Sequence, residues 1–354
     1  MNINVLTNSL LGSSGPATKT WVDARIAIAG SDTDGITESH TFTVTVTKDT
    51  GTGSFVAANG EDVNVTLTSA AGATYVLNTA ATTCDVVGAG ATSDHLNPDT
   101  VGSGTCIVVF TSNTAGTVTG TASSSLTVGG VPITVTTNGA NGNSGTVLKT
   151  FVSGSILWHK NDNHGNRLAG ATFEICRLDH INTATDPDTY VNDDPDVCFS
   201  ITDNKTTGLG AGEVADEDAT NGNLSVSGLV LGRYTARETA APAGYHIDNA
   251  LAVPFDDPMT IADPNIEIAT PFVNSKAFRL IAFTCDDITD KLVVSTTTLN
   301  TVVKSTISTA QFEALGWKDG AGVLLTEAAL CGFPGANYGP LDEGTYNPSV
   351  KIPQ

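Results

Sequence analysis

Basic residues are scarce in this chain: 16 Lys and Arg stand against 37 Asp and Glu in 354 residues, for a formal charge of −21. So acidic a surface disfavours any polyanionic partner, and nucleic acid is not an expected ligand. No run of about 18 apolar residues is present, which excludes a membrane-spanning helix. Met1 to Thr20 lacks the basic start and apolar core of a secretion signal, so the expectation is a removed leader or a segment of something longer. No Gly-x-Ser-x-Gly, His-Glu-x-x-His or phosphate loop occurs, and the six histidines are scattered. Enzyme turnover and a bound cofactor are therefore not expected. No cysteine pair has Cys-x-x-Cys spacing, and no metal site is expected.

What is abundant is Thr, Ser, Gly, Val and Ala, the composition of β-branched strands joined by tight turns. The length suggests two to four modules at roughly 100–200 residues each. Six cysteines fall as Cys84 and Cys106, Cys176 and Cys198, and Cys285 and Cys331, one pair per region. Three local disulfides, Cys84–Cys106, Cys176–Cys198 and Cys285–Cys331, are the economical reading, and they imply an oxidising compartment. An internal repeat sets the boundaries. Ser14-Gly15-Pro16-Ala17-Thr18-Lys19-Thr20-Trp21-Val22 returns as Ser144-Gly145-Thr146-Val147-Leu148-Lys149-Thr150-Phe151-Val152, and in each copy an Ile follows four residues later, at Ile26 and Ile156. Each copy reads as the last strand of one module running into the first of the next, as in a tandem array. The division is then 1–17, the remnant of a preceding module; 18–152; 153–275; and 276–354.

Region 18–152 alternates with period 2 at Thr41–Thr47, Val63–Leu67, Cys106–Phe110, Ser125–Val128 and Ile133–Thr136, the pattern of a β-sandwich. Its Lys-Thr-aromatic-Val junction and Thr-Phe-Thr-Val-Thr-Val strand resemble the Ig-like repeats of actinobacterial surface proteins. In region 276–354, Phe278–Phe283 and Gly344–Ile352 read as strands. Ser308 with Gln311, and Thr326, read as starts of one or two short helices. The fold class is all-β: tandem Ig-like and prealbumin-like sandwiches, the last with one or two helical turns.

The middle region carries the chemistry. It opens with Ile156-Leu157-Trp158-His159-Lys160-Asn161-Asp162 and continues with Leu168-Ala169-Gly170-Ala171-Thr172-Phe173-Glu174-Ile175. Later come Gly232-Arg233-Tyr234-Thr235-Ala236-Arg237-Glu238-Thr239-Ala240-Ala241-Pro242-Ala243-Gly244-Tyr245 and Pro271-Phe272-Val273-Asn274-Ser275-Lys276. Over about 120 residues these segments resemble the Cna B-type, or SpaA-like, prealbumin-fold domains of Gram-positive pilins and adhesins. The resemblance implies a spontaneous amide between Lys160 on the first strand and Asn274 on the last, with Glu238 as the proton shuttle.

The chemistry can also be argued from the residues. A solvated Lys, with a pKa of about 10.4, is protonated and not nucleophilic, but an apolar shield of Trp158, Phe173, Tyr234 and Phe272 disfavours the ammonium. Glu238, raised in pKa by the same setting, takes the proton, hydrogen-bonds the Asn274 carbonyl and helps ammonia depart. His159 is expected on the opposite face, without a catalytic role. Lys19, Lys149 and Lys351 stay open as donors of a second bond.

The implied role is a structural stalk or pilin-like segment on a bacterial cell surface, its partners being neighbouring modules or subunits of a fibre. The alternative is a ligand-binding adhesin head for glycan or host matrix protein, for which Tyr75 and Tyr190 are the available loop aromatics. The acidic stretch Asp186 to Asp196 is read as a solvated loop, with calcium binding left open.

Overall fold

A computed structural model describes residues 18–88, 99–182, 189–255 and 257–276, and beyond them five strands within 281–351. Among the described residues every regular element is a strand. The chain divides into two compact units, Met1–Ser275 and Lys276–Gln354.

The first unit holds two apolar cores in succession. The first is closed between two sheets. One orders Asp23–Ala29, His40–Asp49, Thr105–Ser112 and Tyr75–Leu77, with Val56–Ala57 on the edge of His40–Asp49. The other orders Asp32–Gly35, Val147–Val152, Gly116–Val128, Asn64–Ala70 and Asp85–Val86, with Val131–Thr136 on Gly116–Val128. Period-2 alternation does the sorting: in Asp23–Ala29 every second residue, Ala24, Ile26 and Ile28, is buried and the others are exposed. Phe42, Phe110 and Phe151 meet edge to face at the centre, with ring centroids 5.0 and 6.1 Å apart. Cys84 and Cys106 form a buried disulfide.

Val147–Val152 is followed after one residue by Gly154–Asp162, so at the second copy of the Lys-Thr-aromatic-Val motif one strand runs directly into the next, whereas Lys19 to Val22 of the first copy lies in no strand and Asp23–Ala29 begins just after it. The second core lies between a sheet ordering Asn223–Leu229, Gly154–Asp162, Phe272–Lys276 and Tyr245–Ile247, and one ordering Glu213–Val214, Thr189–Thr202, Thr172–Asn182, Gly232–Ala240 and Val253–Pro254. Ile156, Trp158, Phe173, Ile175, Leu224, Ala236 and Met259 fill it. Cys176 and Cys198 face each other across paired strands and are bonded.

The acidic stretch differs from its sequence reading. Residues 189–202 form one long strand, and the register jumps so that Arg177 faces Val197 while Asp179 faces Asn192. The intervening 193–196 bulges outward, and Asp193 is held by Arg177 at 2.5 Å and His180 at 2.9 Å. Both side chains engage this carboxylate, and among the described residues no group of three metal-ligating side chains exists. Asp186 and Asp188 lie outside the described residues.

In the second unit, Ile281–Cys285, Leu292–Thr298 and Thr301–Thr306 form an antiparallel sheet, and Lys318–Asp319 pairs with Val350–Lys351. The expected helices at Ser308 and Thr326, and Cys331 of the third cysteine pair, lie outside the described residues.

Candidate functional site: a buried lysine, carboxylate and amide

Lys160 is buried because of its phase. Gly154–Asp162 buries alternate residues, so Ile156, Trp158 and Lys160 point inward and His159 points the other way, where its Nδ1 meets Asn223 Oδ1 at 3.0 Å. The same alternation in Gly232–Ala240 places Tyr234, Ala236 and Glu238 inside. Phe272–Lys276 then lies parallel to Gly154–Asp162, with Phe272 opposite Lys160 and Asn274 opposite Asp162. First and last strands of the module are thus direct neighbours, and the acceptor stands two positions beyond the lysine on the same face.

These placements bring the three predicted residues together. Lys160 Nζ is 3.3 Å from Glu238 Oε2 and donates to the Phe272 carbonyl at 3.3 Å. Asn274 Nδ2 donates to Glu238 Oε1 at 2.6 Å. The contact differs from the sequence expectation: Glu238 meets the amide nitrogen, the leaving group, and not the carbonyl. Asn274 Oδ1 is buried with no hydrogen-bond partner. All three side chains are buried, Lys160 and Asn274 with no exposed surface. Burial pushes the Lys160 ammonium below its ordinary value and pushes the Glu238 carboxyl above its own, against the pull of each on the other. Both shifts favour the uncharged pair, a free amine beside a carboxylic acid. Glu238 can therefore hold a proton between the attacking nitrogen and the departing one.

Of the four shielding aromatics, three cluster here. Trp158 packs edge to face on Phe173 at 5.7 Å, and Phe173 on Phe272 at 4.9 Å. Tyr234 belongs to the same core but stands four residues along its strand from Glu238, its hydroxyl donating to the Val230 carbonyl. Sequence reasoning missed Asp248, which acts electrostatically on both Lys160 and Glu238 and accepts a hydrogen bond from Ser275 at 2.7 Å. It lies in an irregular segment with no periodicity to mark it. Asp248 and Asn249 line, with Phe255, Phe272 and Glu238, an open cleft beside the trio.

The site leans on one tight turn. Gly222, at φ +73°, accepts the Lys160 N–H at 2.7 Å, and a Cβ there would lie 2.7 Å from the Lys160 carbonyl and from Leu168 N. Gly222→Ala is expected to destabilise the module by about 1–3 kcal/mol, since the left-handed conformation and the close approach both penalise a side chain. A denaturant titration of the variant against wild type checks this.

Of the two loop aromatics, Tyr75 is partly buried against Phe110, centroids 6.3 Å apart. Tyr190 is exposed and sits under the Arg233 guanidinium at 4.9 Å.

The 153–275 module is thus a β-sandwich with a lysine and an asparagine buried together on neighbouring central strands of one sheet. Residues 154–263 match the family model for SpaA, a prealbumin-like fold domain. No curated protein matches the chain. Among solved structures it is similar to BcpA, the major pilin subunit of Bacillus cereus, with 12% identity over 73% of this chain and 71% of that one and a TM-score of 0.36. It is similar as well to the full-length major pilin SpaD from Corynebacterium diphtheriae, with 13% identity, 72% and 66% coverage and a TM-score of 0.36. A third is the full-length major pilin RrgB from Streptococcus pneumoniae, with 11% identity, 77% and 78% coverage and a TM-score of 0.32.

Proposed function

We propose that this chain is a non-catalytic, load-bearing segment of a bacterial surface fibre, whose partners are its neighbouring modules or subunits, and whose 153–275 module closes one amide between Lys160 and Asn274. The observation that carries the reading is the buried cluster of Lys160 and Asn274, on two parallel, adjacent strands at the ends of that module, with Glu238 reaching in from the other sheet. The match of 154–263 to the SpaA domain supports it. The two disulfides suit a chain that works outside the cell.

The reaction balances without a co-reactant. Lys160 Nζ bonds to Asn274 Cγ, the Cγ–Nδ2 bond breaks, and Glu238 passes a proton from Nζ to Nδ2 so that ammonia leaves. Positioning of the reacting groups by two hydrogen-bonded strands supplies on the order of 7–11 kcal/mol of the barrier. One turnover follows, and its product is a cross-link between the two ends of the module.

The test is mass spectrometry of the purified chain, intact and after proteolysis, before and after reduction. A loss of ~17 Da that survives reduction, maps to a peptide joining Lys160 to Asn274, and vanishes in Lys160→Ala and Glu238→Ala is expected. A wild-type peptide with a free Lys160 amine overturns the reading.

A further inference from the structure

The 18–152 module contains a second buried lysine, Lys149, one of the three left open as donors of a second bond. Lys149 has no exposed side-chain surface and Asp34 has 1%, and Lys149 Nζ donates to Asp34 Oδ2. The pairing repeats the arrangement of the 153–275 module in a different order along the chain. Val147–Val152 runs parallel to Asp32–Gly35, with Lys149 opposite Asp32 and Phe151 opposite Asp34. The carboxyl therefore stands two positions beyond the lysine's own register partner, the same offset that relates Asn274 to Lys160. In both places the acceptor's Oδ1 is buried without a hydrogen-bond partner. An ion pair gains nothing from an orphaned buried oxygen, whereas the carbonyl of an amide tolerates one at lower cost, because it is uncharged.

We propose that Lys149 and Asp34 are joined by a second intramolecular amide, closed with loss of water and assisted by His40. His40 is 8% exposed, and its ring stands edge to face with Phe42 and Phe110, centroids 5.2 and 5.7 Å away. Its Nε2 meets the Gly30 carbonyl at 2.5 Å, which only a protonated nitrogen can do, so the other nitrogen is the one that exchanges protons. That nitrogen, Nδ1, is 3.4 Å from Asp34 Oδ2.

The step balances as follows. Lys149 gives one proton to Asp34 Oδ2 and its freed amine bonds to Asp34 Cγ. The imidazolium of His40 gives a second proton to Oδ2, the Cγ–Oδ2 bond breaks, and water leaves. His40 recovers its proton from Nζ, which keeps one hydrogen as the amide N–H. Burial pushes the Lys149 ammonium below its ordinary value and favours the free amine, while at Asp34 burial is outweighed by the hydrogen bonds of His40 and Lys149, which hold the carboxyl below its own, so the second proton from His40 is what lets water leave. Half-buried Glu38 feels both Asp34 and Lys149 and is a nearby second acid. His40 takes the place that Glu238 holds in the other module, and an aspartate takes the place of the asparagine.

The experiment is peptide mapping by mass spectrometry on the full-length chain after reduction, with Lys149→Ala, Asp34→Asn and His40→Ala alongside. The wild type is expected to yield one peptide joining Lys149 to Asp34 at ~18 Da below the sum of its parts. Asp34→Asn, which swaps the leaving group for ammonia, is expected to give the joined peptide with the same final amide. Because Asn begins ~1 Da lighter than Asp, its loss from the unreacted mass is then ~17 Da. His40→Ala is expected to leave the two peptides separate, or joined in a small fraction that grows with time. Separate wild-type peptides carrying a free Lys149 amine overturn the proposal and leave an ion pair only. That outcome is independent of the Lys160 to Asn274 peptide, which is read in the same digest. Should Lys149→Ala fail to fold, the wild-type and Asp34→Asn digests decide the matter alone.

Discussion

Glu238→Ala is expected to lower the stability of the 153–275 module by about 3–5 kcal/mol more than Asn274→Ala does, although both variants lack the amide. In Asn274→Ala the buried Lys160 keeps its carboxylate 3.3 Å away. In Glu238→Ala the amine is left in a site with no exposed side-chain surface, and either its charge is stranded or its proton is given up. For a module of about 120 residues the extra loss corresponds to a drop of roughly 10–30 °C in melting temperature. The sign of the pH dependence follows from linkage. Burial holds the folded-state value of Lys160 below its ordinary 10.5, and removing Glu238 takes away the attraction that had opposed that shift. Between the folded and unfolded values the unfolded chain binds more protons, so stability rises with pH there and falls as the pH drops through the folded value. Thermal melts of Glu238→Ala should climb as the pH rises toward 10.5, while the wild type, if Lys160 is closed into the amide and does not titrate, stays flat over Lys160's contribution. Equal melting of the two variants without a pH slope would mean that Lys160 is hydrated in the unreacted fold.

The phase of each strand was legible because it needs only alternation. Thr41–Thr47 and Cys106–Phe110 emerge inside His40–Asp49 and Thr105–Ser112, and Ile156, Trp158 and Lys160 share a face as their spacing requires. A lysine in the phase of an apolar stripe is itself a signal, and it holds twice: Lys149 stands between buried Val147 and Phe151 just as Lys160 follows Trp158. Only the second was picked out as reactive, because the flanking motifs there resemble a known domain. Asp34 and His40 were not legible. Asp34 sits in a four-residue strand with no alternation to mark its inward face, and its partner lies 115 residues away in the chain. Parallel pairing between distant segments leaves no local pattern, since neither register nor neighbour is set by a turn. The outward bulge at 193–196 was hidden for a related reason. Its acidic composition reads as a loop, yet Arg177 and His180 on the adjacent strand fix Asp193 in place.

Pulling the chain from its two ends is expected to leave the bodies of its first two modules folded, with no more than the leading strand Asp23–Ala29 drawn out. If both amides are closed, force entering along the first strand reaches Asp34, crosses to Lys149, follows the 11 residues to Lys160 and leaves through Asn274. That short path contains the strand Asp23–Ala29 ahead of Asp34 and the junction where Val147–Val152 meets Gly154–Asp162, and the rest of the two sandwiches lies outside it. The sequestered lengths are 115 residues between Asp34 and Lys149 and 114 between Lys160 and Asn274. At roughly 3.4 Å per extended residue, Lys160→Ala should release a contour length of about 390 Å in one step, less the folded span, and Lys149→Ala a similar length. Each step should be about 75 Å shorter before reduction than after it, because the Cys176–Cys198 and Cys84–Cys106 loops each hold back 22 residues. Single-molecule force spectroscopy of wild type, the two single variants and the double variant separates the contributions. Zero, one, one and two steps are expected, and a wild-type step of the full module length would mean that the corresponding amide is absent from the load path.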